Sequence, residues 1–244
     1  MNYLVDISYD GNNYHGWSKQ ENNISIQQTI EQALKRIYHK KITIIGSGRT
    51  DAKVHAIHQY FNFHEDKINL DPSKLMNAFT YQIPKDIKIN KIKIVNKNFN
   101  ARYNVKLKTY LYVINTGKFD LFKNNYLLNY NKQINVNLWK KAIKLFLGTH
   151  DFLSFSKSEL TNTTRTITNI KITKSNDLLN VYITGNGFLR SMVRMIIGSL
   201  IDLNNMKKSI TDIVNLINNP KKGSAITLAN PCGLYLYKIV YKLN

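Results

Sequence analysis

Residues Gly46 to Ala56 read GSGRTDAKVHA, with Asp51 two positions after Arg49 and glycines at 46 and 48. The apolar residues Ile42, Ile44 and Ile45 precede this stretch and the strand-like IHQYFNFH follows it. It is therefore expected to form a tight turn between two extended elements, with Gly46 and Gly48 supplying backbone angles that other residues avoid. A carboxylate on such a turn suits attack on an electrophilic carbon, stabilisation of a developing cation or removal of a proton. The alternative is an exposed ion pair between Arg49 and Asp51, which contributes little to stability.

Other chemistries find less support. His55, His58 and His64 lie near Asp51, but a strand turns His58 and His64 to one face and His55 to the other, so they form no compact ligand set. The stretch is not a phosphate-binding Walker loop, because glycine and lysine are not adjacent and no Ser or Thr follows Lys53. No G-x-S-x-G elbow supports a serine nucleophile. Arginine is scarce against lysine, at positions 36, 49, 102, 165, 190 and 194 only, which points to places that need a planar, forked donor. Arg190 and Arg194 are four apart in GFLRSMVRMIIGSL, so a helix would put both on one face at its N-terminal end, with Asp51 as a natural carboxylate partner. Tyr14, His15 and Trp17 occupy a polar loop, GNNYHGW, where they either close over the core or stack on bases.

The elements that must position these groups follow from patterning. A strand is expected at Tyr3–Tyr9 and a helix from the Ser25 cap to about His39, with Gln28 completing a capping box. Asp71-Pro72 starts a second helix that Pro84 closes, and Ile87–Val95 reads as an alternating strand with lysines outward. The first hundred residues thus run strand, helix, strand, strand, helix, strand, an α+β arrangement of the split βαβ, ferredoxin-like type. A second set follows: strands at Val105–Asn115, Thr166–Thr173 and Leu179–Thr184, helices at Trp139–Leu147, Gly187–Leu203 and Ile210–Ile217, and a last strand at Leu234–Tyr241. Two ferredoxin-like halves, residues 1–103 and 104–244, are expected, with their sheets side by side and a central basic cleft between them.

Composition narrows the partner. Lys plus Arg total 35 against 15 Asp plus Glu, a formal charge of +20, and no long basic block concentrates it. A broad positive surface on a folded body draws in polyanions, which makes nucleic acid the leading partner. Cys232 is the only cysteine, which excludes a disulfide framework and a cysteine metal cluster. No apolar run approaches the length of a membrane span and no leader pattern opens the chain, so a cytoplasmic protein is expected.

Five blocks, GRTDAKVHA, FNARYNV followed by KTYLYVI, GTHDFLSF, GFLRSMVRMIIGSL and NPCGLYLYKIVY, resemble the tRNA pseudouridine synthase A (TruA) family in type and order. That resemblance implies isomerisation of uridine to pseudouridine at positions 38, 39 and 40 of the tRNA anticodon arm. It also implies no cofactor and no metal, and a homodimer that holds tRNA across both subunits. Asp51 takes the place of the catalytic aspartate, Arg49 would replace or displace the flipped base, and Tyr110 would stack on the uracil. Arg194 matches the basic residue that orients and compensates the aspartate, and Lys53, His55 and Arg190 complete the substrate-facing set. Lys53 stands where the family usually has glycine, and Cys232 where it usually has another small or polar residue. A non-catalytic RNA-binding protein on paired modules and a hydrolytic RNA glycosylase using Asp51 are the rival readings.

Overall fold

The computed structural model describes residues 1–157, 159 and 161–242. The chain divides into two compact units, Met1–Lys106 with Leu236–Asn244, and Leu107–Tyr235. The elements of the first unit are β1 (Asn2–Tyr9), α1 (Ile26–Tyr38), β2 (Ile45–Gly46), β3 (His55–His64), α2 (Pro72–Gln82) and β4 (Ile87–Val95). Each helix begins where the sequence predicts. Ser25 Oγ accepts from Gln28 N at 3.3 Å, and Asp71 caps α2 ahead of Pro72. The capping box is only half formed, because the buried Gln28 Oε1 finds no hydrogen-bond donor.

β1 pairs antiparallel with both β3 and β4, and β2 pairs antiparallel with β3. One sheet face is apolar: Tyr3, Val5 and Ile7 of β1 join Phe61 and Phe63 of β3, Ile30 and Leu34 of α1, and Leu75 and Phe79 of α2 in a buried core. β4 does not alternate throughout, contrary to expectation. A bulge shifts its register against β1, so that Ile89 opposes Ile7 while Lys91 opposes Asp6 and Asn90 is the extra residue. Its isoleucines are spaced 87, 89, 92, 94, and the bulge is what keeps all four on one face.

The second unit contains β5 (Val105–Asn115), β6 (Leu128–Asn129), α3 (Val136–Ile143), β7 (Gly148–Asp151), β8 (Thr164–Ser175), β9 (Leu178–Gly185), α4 (Met192–Asn204) and α5 (Ile210–Asn218), and β10 (Leu234–Tyr241) starts at its end. Its strands lie in the order β5-β9-β8-β7, with the short β6 parallel to β5. In the first unit β1 lies beside β3 and β3 beside the two-residue β2, and in the second β5 lies beside β9 and β9 beside β8. α4 starts five residues later than expected. Ser191 takes a left-handed conformation, φ 64°, within a turn closed by the Met192 N–H donating to the Leu189 carbonyl at 3.2 Å, and this keeps the preceding segment from joining the helix. Among the described residues no helix is long and apolar enough to cross a membrane.

Candidate active site

The Gly46–Val54 segment is held on three sides by its own unit. Gln59 of β3 binds its first bend: Ser47 Oγ donates to Gln59 Oε1, and Gln59 Nε2 donates to the Gly48 carbonyl at 2.9 Å. The Ser47 N–H donates to the Tyr60 carbonyl at 2.7 Å. On the other flank, the loop after β1 lies against Thr50–Val54. The Trp17 N–H donates to the Thr50 carbonyl (3.2 Å), and the Lys53 N–H donates to the Tyr14 carbonyl (3.1 Å). The hydroxyls of Tyr9 and Thr50 are 2.8 Å apart.

This loop decides between the two readings of its aromatics. Trp17 is 3% exposed and Tyr14 is 5% exposed, so both pack down, and Tyr14 donates its hydroxyl to Asp86 at 2.7 Å. Burial and the Asp86 carboxylate raise the Tyr14 phenol far above its ordinary value, so it remains a neutral donor. Only His15 of the three stays exposed.

The glycines serve contact more than conformation. Gly46 has an ordinary φ, but a Cβ there would lie 2.5 Å from the Trp17 indole. A Cβ on Gly16, which has φ +91°, would lie 2.5 Å from the Thr50 carbonyl oxygen and 3.0 Å from the Asp51 carbonyl carbon. Gly11 lets the Val54 carbonyl approach to within 2.1 Å of where a Cβ would stand. Three glycines thus allow two backbone segments and an indole ring to meet around Asp51.

Asp51 itself is half-buried and starts a four-residue turn closed by Val54 N–H donating to its carbonyl at 3.2 Å. The third residue of that turn is Lys53, with φ 62°, the place where a type II turn favours glycine. Lys53 and Arg49 are both exposed. A lysine held in the left-handed region costs ~1–2 kcal/mol relative to its relaxed backbone. Lys53→Gly is therefore expected to raise the unfolding free energy by ~1 kcal/mol, and Lys53→Val to lower it by at least as much, in urea titrations. Equal stability of the two variants would mean that the turn changes its backbone.

His55, expected among the substrate-facing residues, is 2% exposed at the start of β3. The Gly11 N–H donates to its Nδ1 at 3.1 Å, so that nitrogen offers its lone pair. The carboxylate of Asp10 lies 3.2 Å from the same atom. The imidazole thereby fastens the loop to β3. His58 lies on the opposite face with Asp6, 3.0 Å away, and no group of three metal-ligating side chains occurs among the described residues.

The second unit carries the other expected residues. Tyr110, in the middle of β5 opposite Ile183 of β9, is 8% exposed and meets Phe188 edge-on with ring centroids 5.0 Å apart. Phe188 had no signal of its own in the sequence beyond its place in the GFLR block. Arg194 lies in the first turn of α4, half-buried, and its Nε donates to the Ala229 carbonyl at 2.8 Å. The Ala229 N–H donates back to the Arg194 carbonyl at 3.1 Å. Buried Tyr112 fixes the next carbonyl, that of Asn230, at 2.7 Å. Arg190 does not share a helix face with Arg194: it is exposed in the turn before α4, and its carbonyl accepts from Lys157 N–H at 3.2 Å. Cys232 is buried, with its thiol donating to the Leu127 carbonyl at 3.1 Å.

Comparison with known proteins adds a second line of evidence. Residues 7–104 and 142–242 match the family model described as tRNA pseudouridine synthase. The chain is 46% identical to tRNA pseudouridine synthase A of Ureaplasma urealyticum over 99% of its own length and 100% of that protein. It is 46% identical to the Malacoplasma penetrans protein of the same name, again over 99% and 100%. A Thermoanaerobacter relative of that name is 36% identical over 98% of this chain and 99% of its own. With the matched model spanning most of the sequence, including both the Asp51 turn and the Arg194 helix, the chain belongs to the tRNA pseudouridine synthase A family.

Proposed function

We propose that this chain isomerises uridine to pseudouridine at positions 38, 39 and 40 of the tRNA anticodon arm, with Asp51 as the catalytic carboxylate. Membership of the family makes it a pseudouridine-forming isomerase. The C1′–N1 bond of the nucleotide breaks, a C1′–C5 bond forms, C5 loses its hydrogen and N1 gains one. The reaction is redox-neutral and needs no electron acceptor. The observation that carries the assignment is the bracing of the Asp51 turn by Gln59, Gly11, Gly16 and Trp17. Such support is what a group needs in order to meet a reacting carbon with little reorganisation.

In this reading Asp51 attacks C1′ or removes a ribose proton, and Arg194 orients and compensates it. Arg49 occupies the space left by the extruded base, whose unstacking costs a few kcal/mol. Tyr110 stacks on the uracil, and Lys53 and Arg190 meet the sugar-phosphate backbone. Both units are read as ferredoxin-like, supported by their common strand order, with a basic cleft between them and tRNA held by a homodimer. The test is to map pseudouridines in tRNA from cells with and without the gene. Loss confined to positions 38–40 is the expected result, and an unchanged map or losses elsewhere in tRNA would overturn the proposal.

A further inference from the structure

The bulge in β4 does more than keep its isoleucines on one face. Lys88, Lys91 and Lys93 stand opposite Ser8, Asp6 and Leu4 of β1, so the register puts all three on the sheet face away from α1 and α2. Strict alternation would have separated Lys88 from Lys91 and Lys93; the extra residue Asn90 brings them into one row. All three side chains are exposed.

The charge balance of that face is one-sided. β1, β3 and β4 contain one acidic residue, Asp6, and it is 8% exposed. Its carboxylate is already engaged, by His58 Nδ1 at 3.0 Å and by Asn90 Nδ2 at 3.3 Å. Beside it, opposite Asp6 on β3, lies half-buried Tyr60, whose phenol burial and the Asp6 charge push up to about 12, so it stays neutral. The face therefore offers a row of three exposed lysines whose one neighbouring carboxylate, Asp6, already has other partners, beside the aromatic ring of Tyr60. Lys91 and Lys93 are two residues apart, ~6.6 Å along the strand, a spacing that a sugar-phosphate strand can follow.

Lysines on an edge strand also discourage edge-to-edge pairing between sheets. A bulge serves that role as well, but edge protection does not require all three charges to share one face. A sheet face bearing cations and a half-exposed aromatic ring is instead a surface for RNA. We propose that the Lys88–Lys91–Lys93 row, on the helix-free face of the first unit's sheet, binds the phosphate backbone of the substrate RNA. This rests on the reading that tRNA is the substrate.

The test uses full-length protein and an unmodified tRNA transcript, with dissociation constants measured across a salt series. Replacing all three lysines by glutamine is expected to flatten the slope of log K against log salt by about 2–3 and to weaken binding at least tenfold near ~0.1 M salt. Replacing them by arginine, which keeps the charge, should leave the slope near its original value. A slope unchanged in the glutamine variant overturns the proposal. So does an unchanged slope joined to an altered sedimentation coefficient, which would assign the row to contact between protein chains. Pseudouridine formation by the unaltered protein, measured in parallel, separates the two failures: activity with an unchanged slope rejects only the lysine row, and no activity rejects the proposed function itself.

Discussion

Asp51→Asn is expected to lower pseudouridine formation by at least ~10³-fold while changing tRNA affinity by no more than a few-fold. The substitution keeps the size of the side chain and removes the charge that attack on C1′ or proton removal requires. Folding should be little affected, because the turn is held by backbone groups and by Gln59, Tyr14 and Trp17. Single-turnover kinetics with saturating enzyme separate the two quantities. If the variant lost affinity in proportion to activity, Asp51 would be holding the turn or the RNA and would not be the reacting group.

Gly16→Ala should be nearly as damaging, although residue 16 is outside the signature motif. Its Cβ would lie 2.5 Å from the Thr50 carbonyl oxygen and 3.0 Å from the Asp51 carbonyl carbon, both backbone atoms that no side-chain rotation can move aside. The native φ of +91° adds a backbone penalty of order 1–3 kcal/mol for any residue with a Cβ. Relief requires the loop and the turn to separate, which displaces Asp51. A shift of ~1 Å at a reacting group can lower turnover by roughly 10²-fold. Gly187→Ala is the control, since a Cβ there meets nothing closer than Arg165 at 3.5 Å. Urea denaturation and turnover should both fall for Gly16→Ala and remain near the original values for Gly187→Ala. Full activity in Gly16→Ala would show that the loop does not set the position of the turn.

Much of this arrangement was legible in the sequence because it is written in local signals. Ser25 and Asp71-Pro72 announce two helix starts, and the order of the first six elements follows from these signals together with periodicity. The misreadings occur where the deciding partner is remote or the signal is ambiguous. Gly46 reads as a turn glycine, yet its requirement comes from Trp17, twenty-nine positions away. GFLRSMVR reads as helix because it is apolar and glycine-poor after its first residue, and the left-handed Ser191 leaves no mark in composition. Strand parity gives the side of the sheet on which His55 lies but not how deeply it is buried. β6 and β7 are two and four residues long, too short for periodicity to register.

The β4 bulge is different, because the isoleucine spacing 87, 89, 92, 94 already contains the shift of parity. Reading IKINKIKIV as simple alternation loses both the bulge and the row of lysines it creates. Lys53 shows the converse: the family resemblance marks it as a departure from glycine, and the positive φ supplies the physical reason that glycine suits the position.

The most direct test of the account uses purified protein and tRNA carrying tritium at C5 of uracil. Joining C1′ to C5 expels that hydrogen to water, so the account predicts tritium release with an intact RNA strand from the unaltered protein and background release from Asp51→Asn. No release from the unaltered protein would contradict it in favour of an RNA-binding role, and an abasic product would contradict it in favour of a glycosylase.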